Sequence, residues 1–160
     1  MVGDAAELSA LFNAIAEADD TPERLSPETM EYELTSYFDP LEEKAVVGRD
    51  GEGAIVAYAT AYCRLAEAAE TRAYINTYVA IPWRDRGIED ALIEWAMAAA
   101  TTALQESESK RNYICAWIYK KQEDEAARLG HHGFAPVRHW WEMERDLAVG
   151  IGAPSTDGFQ

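Results

Sequence analysis

The stretch Tyr78–Leu92, YVAIPWRDRGIEDAL, decides how the rest of the chain is read. It opens as an apolar extended run closed by Pro82, passes through a short loop carrying Arg84, Arg86 and Gly87, and continues as a helix. A strand that turns directly into a helix leaves backbone N–H groups unpaired at the helix start. A glycine there lets a ligand come close to the backbone, so the loop suits a diphosphate, and the two arginines add positive charge. The same residues also read as a plain strand-to-helix turn whose arginines pair with neighbouring carboxylates.

Upstream, Leu8, Leu11, Phe12 and Ile15 recur at helical spacing from Asp4 to about Ala18, with Asp4 as N-cap or first-turn acid. Ser26-Pro27-Glu28 marks the start of a second helix, lined by Met30, Leu34, Tyr37 and Phe38 and stopped by Asp39-Pro40. The pattern then turns extended. Lys44–Gly48 and Ala54–Cys63 flank a hairpin turn at Asp50-Gly51-Glu52-Gly53, Leu65–Glu70 reads as a connecting loop, and Arg72–Ile81 is a third strand.

Downstream, Ile88, Ala91, Leu92, Trp95, Ala96, Ala99 and Ala103 form the inner face of a long helix, with Glu89, Asp90 and Glu94 opposite. A strand at Tyr113–Tyr119, a short helix at about Gln122–Leu129, a break at Gly133-Phe134 and extended segments through Leu147 complete the pattern. The expectation is one α+β (α/β mixed-sheet) domain over residues 1–147 and a flexible tail over 148–160.

Composition narrows function. Of the 160 residues 48% are apolar, enough for one real core. The formal charge of −15 argues against surfaces that coat nucleic acid or anionic lipid. The acid is uneven: residues 1–82 hold 5 basic and 16 acidic side chains, and residues 83–160 hold 9 and 13. Cys63 and Cys115 sit in apolar runs without ligand spacing, which speaks against a disulfide scaffold or a metal site. Neither a signal pattern nor a bilayer-length apolar run is evident, so the expected location is cytoplasmic.

With these elements in order, the central stretch resembles motif A of the GCN5-related N-acetyltransferase superfamily. The matching residues are Val79, Pro82, Trp83, Arg84, Gly87, Ile88, Ala91, Leu92 and Ile93, with one spacer residue different, and Gly133-Phe134 resembles the family's closing segment. The resemblance implies two neighbouring strands that splay apart to hold acetyl-CoA or another acyl-CoA as co-substrate. The pantetheine would lie along Val79 to Ile81, and the pyrophosphate on Arg84, Asp85, Arg86, Gly87, Ile88 and Glu89. It further implies transfer of the acyl group to a small amine, and the acid on the first half of the chain points to a cationic one. No metal is implied.

Four features depart from the family's pattern. Asp85 and Glu89 put acid where the phosphates would lie. The positions that supply the family's glutamate base hold Tyr74, Ile75, Asn76 and Thr77, none of them a base near neutral pH. Leu129 stands where the family has a tyrosine acid, leaving Tyr119 as the candidate catalytic residue. The strand that opens the family's fold is reduced or missing before Asp4, so a sheet edge is expected to be left open or covered by another chain, a second copy or a second domain of the same fold. In these respects the chain resembles the degenerate half of a tandem acetyltransferase of the mycothiol synthase type. The alternative function is therefore a non-catalytic domain serving as a structural or protein-interaction module. His131-His132 and His139 are expected to face solvent or cap, and one of Trp140 and Trp141 to stand exposed on a strand, suited to a dimer contact.

Overall fold

The computed structural model describes residues 2–36, 44–63, 69–141 and 143. A 3-10 turn at Val2–Asp4 leads into α1 (Ala5–Ala18), followed by α2 (Pro27–Ser36), β1 (Ala45–Arg49), β2 (Ile55–Cys63) and β3 (Glu70–Val79). A second 3-10 turn, Ile81–Trp83, precedes α3 (Ile88–Leu104), β4 (Arg111–Ala116) and α4 (Glu123–His131). The four strands lie in the order β1-β2-β3-β4. The first two pairings are antiparallel and the third is parallel, so the sheet is mixed. Among the described residues no strand precedes α1, and no helix is long and apolar enough to cross a membrane.

Helices cover both faces of this sheet, which is why β2 is buried along most of its length. On one face Leu8, Leu11, Phe12 and Ile15 of α1 and Met30 and Leu34 of α2 pack with Ala45, Ile55 and Tyr58. On the other, the small side chains Ala57, Ala59, Ala61 and Ala73 let α3 approach closely and seat Leu92, Ile93, Ala96 and Ala100. Leu8, Leu34 and Ile93 are the largest fully buried side chains among the described residues.

Local signals act largely as the sequence predicts. Ser26 Oγ accepts the Thr29 N–H and so caps α2, and Asp50 Oδ1 accepts the N–H groups of Glu52 and Ala54 in the hairpin turn. Asp4 makes no side-chain cap; its carboxylate pairs instead with Arg49 at 2.8 Å. The expected strands shift at their ends. β3 stops at Val79 because the chain tightens into the 3-10 turn at Pro82, and β4 starts and stops earlier than expected, ending at Ala116 rather than Tyr119. Glu70 belongs to β3, not to a loop. The inner face of α3 is largely the expected one, with Leu92 and Ala96 buried and Ile88, Trp95, Ala99 and Ala103 half-buried, but Ala91 is exposed while Glu89 is buried. Beyond α4 no strand forms among the described residues, and both Trp140 and Trp141 are exposed. Tyr37, Phe38, Asp39-Pro40, the 65–68 part of the expected loop, and residues 144–160 with Leu147 and the expected tail lie outside the described residues.

Candidate functional site

The ladder between β3 and β4 runs from Glu70↔Arg111 to Ile75↔Ala116 and ends there. β3 continues for four residues, Asn76–Val79, paired only with β2. Its free side opens on a cleft of about 380 Å³ lined by Thr77, Arg84, Glu89, Tyr119, Glu125 and Arg128, among others. A broader hollow of about 2120 Å³ reaches from α2 past β4 to the segment that follows α4, and Glu33, Tyr58, Tyr62, Asn76, Tyr78 and Trp117 are part of its wall. Asn76, Tyr78 and Trp117 border both spaces, so the gap in the sheet is where they meet.

At the end of β3 the backbone takes two left-handed steps, Asp85 at φ 58° and Gly87 at φ 79°, before α3 begins. Such reversals turn successive N–H groups towards one concavity, and the first N–H groups of a helix have no partner within it. The first helical bond recorded from this end is Ala91 N–H to the Gly87 carbonyl, at 3.2 Å. The backbone at Arg84–Glu89 is thus of a kind that can receive an anion. The side chains do not leave it vacant. Glu89 is only 6% exposed, and its Oε1 accepts the Asp85 N–H at 2.9 Å. Its Oε2 has no hydrogen-bond partner among the described residues.

The arginines are committed as well. Arg84 holds Asp19 at two points, 2.7 and 3.0 Å, and its Nε donates to the Val79 carbonyl at 3.4 Å. Arg86 lies over the Trp83 ring, 5.0 Å from its centroid, where a guanidinium is held by the aromatic face. The Asp85 carboxylate faces solvent and approaches Arg128 at 3.4 Å. Val79 is buried, Ile81 is exposed, and Ile88 packs at the α3–sheet contact.

No family model matches the sequence, and no curated protein matches it. Solved structures do. A GCN5-related N-acetyltransferase from Sphaerobacter thermophilus superposes with a TM-score of 0.72 at 22% identity, over 86% of this chain and 42% of that one. The chain thus spans less than half of that protein's length. A ribosomal-protein-alanine N-acetyltransferase from Brucella melitensis biovar Abortus 2308 gives 0.59 at 18% identity, over 90% of this chain and 95% of that one. A diaminobutyrate acetyltransferase from Paenibacillus lautus, in complex with L-2,4-diaminobutyric acid and coenzyme A, gives 0.57 at 16%, over 82% and 69%. The chain has the GCN5-related N-acetyltransferase fold.

β3 and β4 part beyond Ile75↔Ala116, and the residues that the motif resemblance singles out lie on and around them. Leu129 is buried against the sheet and α3. Tyr119 is half-buried at the cleft, its N–H bonded to Gln122 Oε1 at 2.9 Å. On β3, Tyr74 stacks on Tyr62 and Trp117, Ile75 is core, and Asn76 donates to Thr60 Oγ1 at 3.2 Å. Thr77 is different: its hydroxyl donates to Glu125 Oε1 at 3.2 Å. Burial pushes the Glu125 carboxyl above the usual carboxylate range, against the opposing pull of the Thr77 hydrogen bond and Arg128. α4 thereby brings a carboxylate to the gap where β3 offers none.

Glu125, Arg128 and Asp19 were not singled out by sequence. Glu123-Asp124-Glu125 reads as ordinary acid in a helical first turn, and only the packing of α4 shows that the third of these faces the cleft. His132, expected to face solvent or cap, pairs with Asp90 at 2.9 Å, while His131 is exposed. Cys63 and Cys115 are half-buried free thiols whose pKa values burial raises, as for small packing groups. Among the described residues no cluster of metal-ligating side chains occurs.

Proposed function

We propose that this domain binds an acyl-coenzyme A along the free side of Asn76–Val79 and transfers its acyl group to a small amine. The observation that carries this reading is the coincidence of two features. The parallel ladder stops at Ile75↔Ala116, and the strand that outruns it leads into a loop with two left-handed residues at the start of α3. Val79 to Ile81 would lie along the pantetheine, and the loop Arg84–Glu89 would face the pyrophosphate.

In the proposed transfer the ammonium first gives one proton to solvent; the neutral nitrogen then attacks the thioester carbonyl carbon, the carbon–sulfur bond breaks, and the second proton from nitrogen ends on the departing thiolate. Glu125, at the gap beside Thr77, is the group suited to carry that proton from nitrogen to sulfur. Glu33 is half-buried in the wall of the broader hollow, its carboxyl pushed above the usual range by burial and then by Glu23, and the aromatic rings of Tyr58, Tyr62 and Tyr78 line the same hollow. Carboxylate and aromatic faces together favour a cationic amine as acceptor. Two free thiols fit a reducing, cytoplasmic setting, and the length of the Sphaerobacter protein fits a second domain as the partner.

A second reading rests on a specific observation. Glu89 already occupies the Asp85 N–H and Asp19 already holds Arg84, which favours a non-catalytic module. Calorimetric titration with acetyl-CoA separates the two. The first reading expects saturable heat and amide formation with cationic amines; no heat and no thermal shift at millimolar acetyl-CoA overturn it.

A further inference from the structure

The loop at the start of α3 holds an anion of its own. The Glu89 side chain is 8% exposed, and one of its oxygens sits on the Asp85 N–H at 2.9 Å. The other is buried without a hydrogen-bond partner among the described residues. A buried carboxylate oxygen left without a partner is destabilising, so this arrangement is not one that stability alone would favour.

Across from it, α4 presents Arg128, 20% exposed and surrounded by acid. Its Nη2 lies 3.4 Å from Asp85 and 3.9 Å from Glu89, its Nη1 3.7 Å from Asp90, and its Nε 3.9 Å from Glu125. All four distances are too long for strong charge-assisted bonds, and the buried Nε has no hydrogen-bond partner among the described residues. Two side chains that approach to 3.9 Å at the start of α3 thus each keep one buried polar atom, Glu89 Oε2 and Arg128 Nε, without a hydrogen bond among the described residues. An arginine fork is the group best matched to a phosphate, and Arg84 and Arg86 are both occupied elsewhere.

We infer that Glu89 and Arg128 form a displaceable latch: the Glu89 carboxylate holds the place of a phosphate at the loop, and a diphosphate binds by expelling it and taking Arg128 as its cation. This rests on the acyl-CoA reading only for the identity of the natural ligand. The latch makes Arg128, on a different helix from the loop, the principal cation of the seat. It also makes Glu89 a built-in competitor of any diphosphate ligand.

The probes are inorganic diphosphate and acetyl-CoA, titrated into the full chain as wild type, Glu89→Gln, Glu89→Gln/Arg128→Gln and Glu89→Gln/Arg128→Lys, with circular dichroism and thermal midpoint recorded for each. Removing the competing charge is expected to tighten diphosphate by about tenfold or more. Arg128→Gln in that background abolishes the gain, and Arg128→Lys, which keeps the charge without the fork and serves if the glutamine variant does not fold, retains part of it. Unchanged diphosphate affinity in Glu89→Gln, or a gain that survives Arg128→Gln, overturns the latch. If Glu89→Gln gains diphosphate but takes no acetyl-CoA, the latch stands and the acyl-CoA reading falls. If wild type and Glu89→Gln bind acetyl-CoA equally, the reading stands and the latch falls.

Discussion

Arg84 and Asp19 form a two-point ion pair, Nη1 to Oδ1 at 2.7 Å and Nη2 to Oδ2 at 3.0 Å, that ties the loop before α3 to the C-terminal end of α1. The Asp19 side chain is 16% exposed and that of Arg84 33%, so the pair is sheltered enough to matter. It joins helices on opposite faces of the sheet beside the cleft. The motif arginine is therefore structural in the first instance.

Arg84→Ala is expected to lower stability by about 1–2 kcal/mol, because it leaves Asp19 without its main partner. It should weaken diphosphate or acetyl-CoA binding by less than threefold. Asp19→Asn, which frees the guanidinium while keeping a side chain of the same shape, should tighten the same ligands. Chemical denaturation and calorimetry read the two effects separately, and a tenfold loss of affinity in Arg84→Ala with unchanged stability contradicts the assignment.

Gly87 stands at φ 79°, and a Cβ placed there meets nothing within 4 Å. The cost of Gly87→Ala is thus backbone strain alone, about 1 kcal/mol, or a melting point lower by about 2–4 °C. Asp85 tolerates its own left-handed φ of 58° because aspartate is among the residues that enter this region with least penalty. Asp85→Gly should accordingly leave the melting point unchanged or raise it slightly.

Ile93 is fully buried between α3 and the sheet, whereas Ala91, two residues earlier, is exposed. Ile93→Ala should cost about 2–5 kcal/mol by opening a cavity that the small alanines opposite cannot fill. Ala91→Ser should change stability by less than about 0.5 kcal/mol. Denaturant midpoints compare the pair; equal effects would mean that the inner face of α3 is the one its alanine pattern suggests.

That pattern shows where the sequence was legible and where it was not. Periodicity places the four helices and four strands of the described residues, since Leu8, Leu11, Phe12 and Ile15 or the Val- and Tyr-rich β2 leave few choices. Ala-rich α3 is harder: with Ala at 91, 96, 98, 99, 100 and 103 the apolar face is broad, so which side meets the sheet depends on tertiary fit. Glu89 turns inward as a result, against its charge. At the site, the strand, loop and helix are visible in Val79, Pro82 and Gly87, all local signals. Asp19, Glu125 and Arg128 reach the same place from 65 residues before Arg84, and from 48 residues after Thr77 and 43 after Asp85, separations that no local motif encodes.

Burial raises the Glu125 carboxyl above its usual value, and Glu89 adds to the shift while Thr77, Arg128 and Arg84 oppose it. A carboxyl whose folded value exceeds its unfolded one binds more protons when folded, so stability falls as pH rises from the unfolded value of about 4.5 through the raised one. Above that window the loss is complete; below it both states are protonated and the group is silent. Glu125→Gln removes the titration. The difference in melting point between Glu125→Gln and wild type should therefore grow in favour of the variant from pH 4 towards neutrality and then level off. If the transfer reaction is present, the same variant should lose tenfold or more in kcat with acetyl-CoA affinity unchanged. A melting-point difference that shrinks with rising pH would mean that Arg128 and Thr77 hold Glu125 more firmly as an anion than burial opposes it.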